Sequence, residues 1–75
     1  METNERLLRI LFEIRPEASF VDSSDFIEDG LIDSFDIILL ASSIEKEFNI
    51  KISGEQINRA NFKNIDTLKA LVCHI

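Results

Sequence analysis

The chain has one cysteine, one proline, two glycines and neither tyrosine nor tryptophan among its 75 residues. A single cysteine excludes an intramolecular disulfide framework, which favours a reducing compartment. The longest apolar run, residues 37–41, is far shorter than the roughly 20 residues of a membrane-spanning helix, and the polar, acidic start shows no signal-peptide pattern. We predict a single cytoplasmic domain over residues 1–75, with 45% hydrophobic residues to form its core.

Side chains suited to catalysis are equally scarce. The only histidine, His74, directly follows the only cysteine, Cys73. Adjacent residues on a helix point about 100° apart, so these two do not form a nucleophile–base pair. We expect Cys73 to be a half-buried packing residue, and we predict no catalytic site and no enzyme.

Positive charge is missing from one long stretch. Residues 16–36 contain seven acidic and no basic side chains, whereas residues 1–15 are neutral and residues 37–75 carry one net positive charge. The acidic excess, which gives the chain a net charge of −6, would repel the phosphates of nucleic acid. It favours protein partners with basic docking surfaces.

Helical spacing of apolar residues predicts a first helix over residues 4–15. Its inward face is formed by Leu7, Ile10, Leu11 and Ile14, widened by Leu8 and Phe12. Thr3 or Asn4 is the expected cap, and Pro16 ends the helix. Residues 16–32 then form a long loop, in which Phe26 is the best candidate for insertion between helices. The other apolar residues expected to anchor this loop are Phe20, Ile27, Leu31 and Ile32.

A second helix is predicted over residues 34–49. Asp33 at its N-cap and Asp36 three residues later form a capping box with Asp in place of the usual Glu. The core stripe comprises Ile37, Leu40, Ala41, Ile44 and Phe48, and the exposed side comprises Phe35, Ile38, Leu39 and Ser42. An exposed apolar surface at the start of a helix favours a docking site.

The last third of the chain predicts two more helices. Ser53 and Gln56 match a capping box, which places a short third helix over residues 54–60 with Ile57 and Ala60 inward. Asn64 caps a fourth helix over residues 65–74. The expected fold is therefore an all-α bundle of three longer helices and a short third one, with no sheet.

The chain resembles the acyl carrier protein family, including its stand-alone aminoacyl and peptidyl carriers. The resemblance covers nearly the whole chain and rests on Asp33-Ser34-Phe35 at the start of the second helix. That motif follows the segment Phe26-Ile27-Glu28-Asp29-Gly30-Leu31-Ile32 and precedes Asp36. The segment Ile44-Glu45-Lys46-Glu47-Phe48 and the Asn61-Phe62 turn fit the same pattern.

The resemblance implies a four-helix acyl-carrier-type bundle and a 4′-phosphopantetheine arm on Ser34. A phosphopantetheinyl transferase would attach this arm from coenzyme A, and its thiol would carry an acyl or aminoacyl group as a thioester. The remaining partners would be an acyl- or aminoacyl-activating enzyme and a downstream synthase or acyltransferase. The start of the second helix would contact them through Asp33, Phe35, Asp36, Ile38 and Leu39, with the carrier itself a monomer.

Several positions depart from the usual family pattern. Phe35 replaces a leucine, and Leu39 and Ser42 stand where fatty-acid carriers commonly have an acidic and a bulky apolar residue. Gly30-Leu31-Ile32 also differs from the common Leu-Gly order. These departures favour a specialised carrier, for D-alanine or another amino acid, or in a polyketide or surface-polymer pathway.

Two other functions fit parts of the sequence. An unmodified acidic adaptor would bind partner helices through Phe35, Ile38 and Leu39. A calcium-binding loop starting at Asp25 would match an EF-hand at Asp29, Gly30 and Asp36, but Ile27 occupies its third position and its last position lacks glutamate. We therefore predict no EF-hand metal site, while clustered carboxylates leave weak divalent-ion binding open.

Overall fold

The computed structural model describes residues 2–73. Four α-helices follow one another along the chain: α1 (Thr3–Ile14), α2 (Ser34–Phe48), α3 (Arg59–Phe62) and α4 (Ile65–Cys73). This described part forms no β-strand, and α1 packs against both α2 and α4. The all-α fold with four helices and a long loop between the first two is confirmed, and His74, the predicted last residue of the fourth helix, lies outside the described residues.

The core is formed by apolar faces of the helices together with residues from the connections. Phe20, Phe26 and Phe62 are fully buried. The rings of Phe20 and Phe26 meet edge-on with centroids 5.0 Å apart, a favourable aromatic geometry. The other buried apolar residues are Leu7, Ile10, Leu11, Ile32, Ile37, Leu40, Ala41, Ile44, Ile52, Leu68 and Leu71. The insertion of Phe26 is thus confirmed, and so are the predicted core stripes, except that Ile14 and Phe48 at their ends are only partly buried.

The connection between α1 and α2 is folded against the rest of the molecule. The amide of Phe26 donates to the carbonyl of Lys63, and the carbonyl of Phe26 accepts from the amides of Leu31 and Ile32. Gly30 has a φ of +74°, a left-handed conformation that glycine adopts without strain. These backbone hydrogen bonds, added to the burial of the two phenylalanines, hold a loop that has no regular secondary structure.

Three details differ from the predictions for individual residues. Glu2 takes the N-cap position of α1 without a side-chain hydrogen bond, so neither Thr3 nor Asn4 caps it. Phe12 is 41% exposed, because it lies at the edge of the inward face. Cys73 is exposed and not half-buried.

The short third helix was predicted over residues 54–60, which is wrong. A 3-10 turn covers Gly54–Gln56, and α3 begins only at Arg59. Gln56 accepts the amide of Ser53, but a new cap follows at once, since Asn58 accepts the amide of Asn61. Two caps this close divide the segment, and Ala60 is consequently exposed.

Candidate functional site

Ser34 is the first residue of α2 and is exposed. The capping box in front of it is present as predicted: Asp33 Oδ1 accepts the amide of Asp36 at 3.0 Å, and Asp36 Oδ2 accepts the amide of Asp33 at 3.2 Å. The first amides of an α-helix have no intrahelical acceptor and lie at the positive end of the helix dipole. Ser34 is therefore accessible at a helix end that favours an anionic substituent.

The other predicted contact residues divide into two groups. Phe35, Ile38 and Leu39 are 68%, 61% and 42% exposed and form one apolar surface beside Ser34. Asp33 is exposed as well. The side chain of Asp36, in contrast, is only 7% exposed, so it lies inside the fold and apart from the exposed group.

Asp36 is held by Arg15, the residue that directly follows α1. Arg15 Nε and Nη2 lie 2.9 and 2.7 Å from Asp36 Oδ2. Arg15 Nη2 is also 3.8 Å from Asp33 Oδ2, and Nη1 is 3.9 Å from Glu17 Oε1. The hydrogen bond and charge of Asp36 raise the pKa of the Arg15 guanidinium above its ordinary value, so this side chain stays protonated.

A second arginine lies against the acidic loop. Arg59 Nη2 is 2.9 Å from Glu28 Oε2 and 3.9 Å from Asp25 Oδ2. Asp25 also accepts the amides of Ile27 and Glu28. These backbone hydrogen bonds lower the pKa of Asp25, with a smaller contribution from Arg59. Part of the acidic excess is thus paired within the chain, but the loop keeps a net negative charge.

A cavity of about 400 Å³ opens beside Ser34. Its walls are mainly apolar, and its lining comprises Ile27, Ser34, Ile37, Ile38, Ile57, Asn58 and Arg59. A flexible chain attached to the serine would find both open solvent and an apolar recess within reach. The donor-rich helix end and this recess fit a phosphate-linked arm.

Sequence reasoning found Ser34 and the apolar surface but missed Arg15, Asn58 and Arg59. A signal for Arg15 was present, because it is the last base before a stretch of seven acids. No comparable signal marked Asn58 and Arg59, since their approach to Ser34 depends on where the third helix begins.

Metal ligands and membrane-spanning helices were sought in the part of the chain that the structure describes. Within residues 2–73 no group of three or more His, Cys, Asp or Glu side chains is arranged to hold a metal ion. None of the helices in that same part of the chain combines the length and apolar character needed to cross a bilayer.

Comparison with known proteins agrees with this site. The profile of the phosphopantetheine attachment site family matches residues 5–75. Acyl carrier proteins from the Tuc7, 5A and APS strains of Buchnera aphidicola subsp. Acyrthosiphon pisum are 40% identical over 70 residues, covering 87% of this chain and 86% of theirs. No solved structure matches significantly.

The all-α fold and the family match identify a carrier with a covalently attached phosphopantetheine group. The chain belongs to the acyl carrier protein family. It is a carrier and not an enzyme, its prosthetic group is a covalently attached phosphopantetheine, and its role as a carrier implies that it interacts with enzymes. The resemblance seen in the sequence is confirmed, and the alternative of an unmodified adaptor loses its basis.

Proposed function

We propose that residues 1–75 form a single carrier domain whose phosphopantetheine arm is attached to Ser34 Oγ. The observation that supports this most is the exposure of Ser34 at the capped start of α2, beside an apolar cavity. The helix end favours the negative charge of a phosphodiester. The attached arm supplies a thiol that holds acyl or aminoacyl cargo as a thioester.

The chain's own residues position and present this attachment point. The capping box fixes the backbone on either side of Ser34. Phe35, Ile38 and Leu39 form the surface that a transferase, a cargo-activating enzyme and a downstream synthase or acyltransferase would contact. Apolar side chains gathered at the centre of such a contact contribute most of the binding energy, while the acidic loop attracts basic partners to its rim.

The cargo falls outside ordinary fatty-acid synthesis in this proposal. The outer face of the first turns of α2 carries no exposed charge, because its exposed positions are occupied by uncharged residues that include Phe35, Leu39 and Ser42. An enzyme that selects its carrier by acidic residues on this face would therefore discriminate against this protein. Specialised aminoacyl, polyketide or surface-polymer pathways are the expected setting.

Incubation with coenzyme A, magnesium and a broad-specificity phosphopantetheinyl transferase tests the attachment. Intact-mass measurement should show the addition of one phosphopantetheine group to the wild-type protein. Ser34→Ala should gain none, whereas Ser42→Ala, which removes another exposed serine of α2, should be modified normally. A Ser34→Ala protein that still gains the group would refute the assignment.

A further inference from the structure

Arg15 connects the end of α1 to the start of α2. Its guanidinium makes two contacts below 3 Å with Asp36 Oδ2, across a sequence separation of 21 residues. The Asp36 side chain is 7% exposed and the Arg15 side chain 38%. The pair is therefore partly withdrawn from water, where a charge-assisted hydrogen bond is stronger than at an open surface.

The backbone of Arg15 is fixed on both sides. Its amide donates to the carbonyl of Leu11 at 2.8 Å, and its carbonyl accepts the amide of Ala18 at 3.2 Å. Pro16 follows, and a residue that precedes proline is kept out of the helical region; Arg15 accordingly has φ −136° and ψ 78°. The guanidinium thus extends from a backbone with little conformational freedom.

Asp36, held by Arg15, in turn restrains the backbone of Asp33, the residue before the serine. The same Oδ2 that receives Arg15 also accepts the amide of Asp33 at 3.2 Å. A single side chain, that of Asp36, therefore links Arg15 to the backbone of the residue that precedes Ser34. Without Arg15, the nearly buried carboxylate of Asp36 would lose this charged partner, and a buried carboxylate without a counter-charge turns towards water.

We propose that Arg15 is a positioning residue, which holds Asp36 in the capping box and thereby fixes the backbone that presents Ser34. This role rests on the proposed attachment at Ser34. It also explains why Asp36 is buried in a segment otherwise expected to face partners. Arg15 does not touch the arm or the transferase in this proposal; it acts through Asp36.

The chain contains a matched control at the opposite end of α2. Arg6 extends from the first turn of α1, and it contacts Glu47 Oε2 at 2.8 Å and the Glu47 carbonyl at 2.6 Å. Its guanidinium lies 4.2 Å from the ring centre of Phe48. Arg6→Ala therefore removes a comparable clamp between α1 and α2, distant in sequence from Ser34.

The test compares Arg15→Ala, Arg15→Lys and Arg6→Ala as substrates of a purified broad-specificity phosphopantetheinyl transferase. At a temperature where circular dichroism shows all of them folded, kcat/KM should fall about tenfold or more for Arg15→Ala, because displacement of a reacting group costs rate steeply. Arg6→Ala should stay within about twofold of the wild type. Arg15→Lys should be intermediate, since an ammonium keeps the charge but not the planar pair of donors.

Amide hydrogen exchange supplies a readout that does not depend on the transferase. Arg15→Ala should accelerate exchange of the Asp33 and Asp36 amides, and Arg6→Ala should not. If the wild-type protein accepts no arm, the proposed function fails. The exchange rates of the Asp33 and Asp36 amides would still show whether Arg15 fixes the cap. Unchanged exchange in Arg15→Ala, or an equal loss of kcat/KM in Arg6→Ala, would overturn the proposal.

Discussion

Asp33 and Asp36 are the same amino acid three residues apart, and the structure places them in different surroundings. Asp33 is exposed, while Asp36 is nearly buried against Arg15. Each accepts the backbone amide of the other, so both contribute to the cap in front of Ser34. Only Asp33 remains available to a partner, which reduces the predicted contact surface to Asp33, Phe35, Ile38 and Leu39.

Ile38 is the most informative single residue of the apolar surface. It is 61% exposed, so replacing it with aspartate should change the free energy of unfolding by less than about 0.5 kcal/mol. Placed in a desolvated contact, the new charge should lower the transferase kcat/KM about tenfold or more.

Val21 provides the matched control for that substitution. It is an equally exposed apolar residue, at 69%, and lines a different cavity from Ser34. Val21→Asp should leave kcat/KM unchanged. If both variants were modified at the wild-type rate, the surface of Phe35, Ile38 and Leu39 would not be where the transferase docks.

The long loop between α1 and α2 owes its order to two buried rings and a set of backbone hydrogen bonds. Phe26→Ala should destabilise the protein by about 3–5 kcal/mol, because it empties a fully buried site. Phe12→Ala removes the same side chain from a site that is 41% exposed, where its ring meets Phe20 edge-on at 6.1 Å. It should cost less than half as much.

Urea denaturation of the two variants measures these differences directly. A loss for Phe12→Ala equal to that for Phe26→Ala would show that Phe26 does not anchor the loop. Phe26→Ala should also lower the rate at which Ser34 is modified. Without the buried ring the backbone at residue 26 is less firmly held, and its carbonyl accepts the amides of Leu31 and Ile32 just before the cap of α2.

The stability that this loop contributes should depend on pH through the carboxylate of Asp25. Its pKa is lowered in the folded protein, mainly because its carboxylate accepts backbone amides. A carboxylate with a depressed pKa stabilises the fold above its unfolded pKa, which is about 3.9 for aspartate, and loses this contribution as the pH falls through the lower folded value.

Thermal melts of wild type and Asp25→Asn test this dependence. The difference in Tm between them should be constant above about pH 5 and shrink below about pH 4. A difference that grew on acidification would contradict the assigned role of Asp25.

At the scale of the whole molecule, most of the architecture could be predicted from periodicity and caps. Helical spacing located the core faces of α1 and α2, and Pro16, Asp33 and Asn64 marked helix ends. The third helix was misplaced because its apolar spacing is weak over residues 54–60, so the choice between two competing caps, Ser53 and Asn58, depended on packing.

The part of the site that rests on a local sequence pattern could be predicted, and the part that rests on a long-range contact could not. A serine after an acidic cap is a local pattern, so Ser34 was visible in the sequence. The ion pair between Arg15 and Asp36 joins residues 21 positions apart, and no local pattern specifies which of seven acids that arginine meets. Burial of Asp36 follows from this long-range contact and was missed for the same reason.

Attachment of the arm at Ser34 is decided by locating the modified residue. The protein has seven serines, and fragmentation mass spectrometry of the modified protein identifies which of them carries the phosphopantetheine group. We predict that the added mass lies on Ser34 alone. An arm found on any other residue would contradict it.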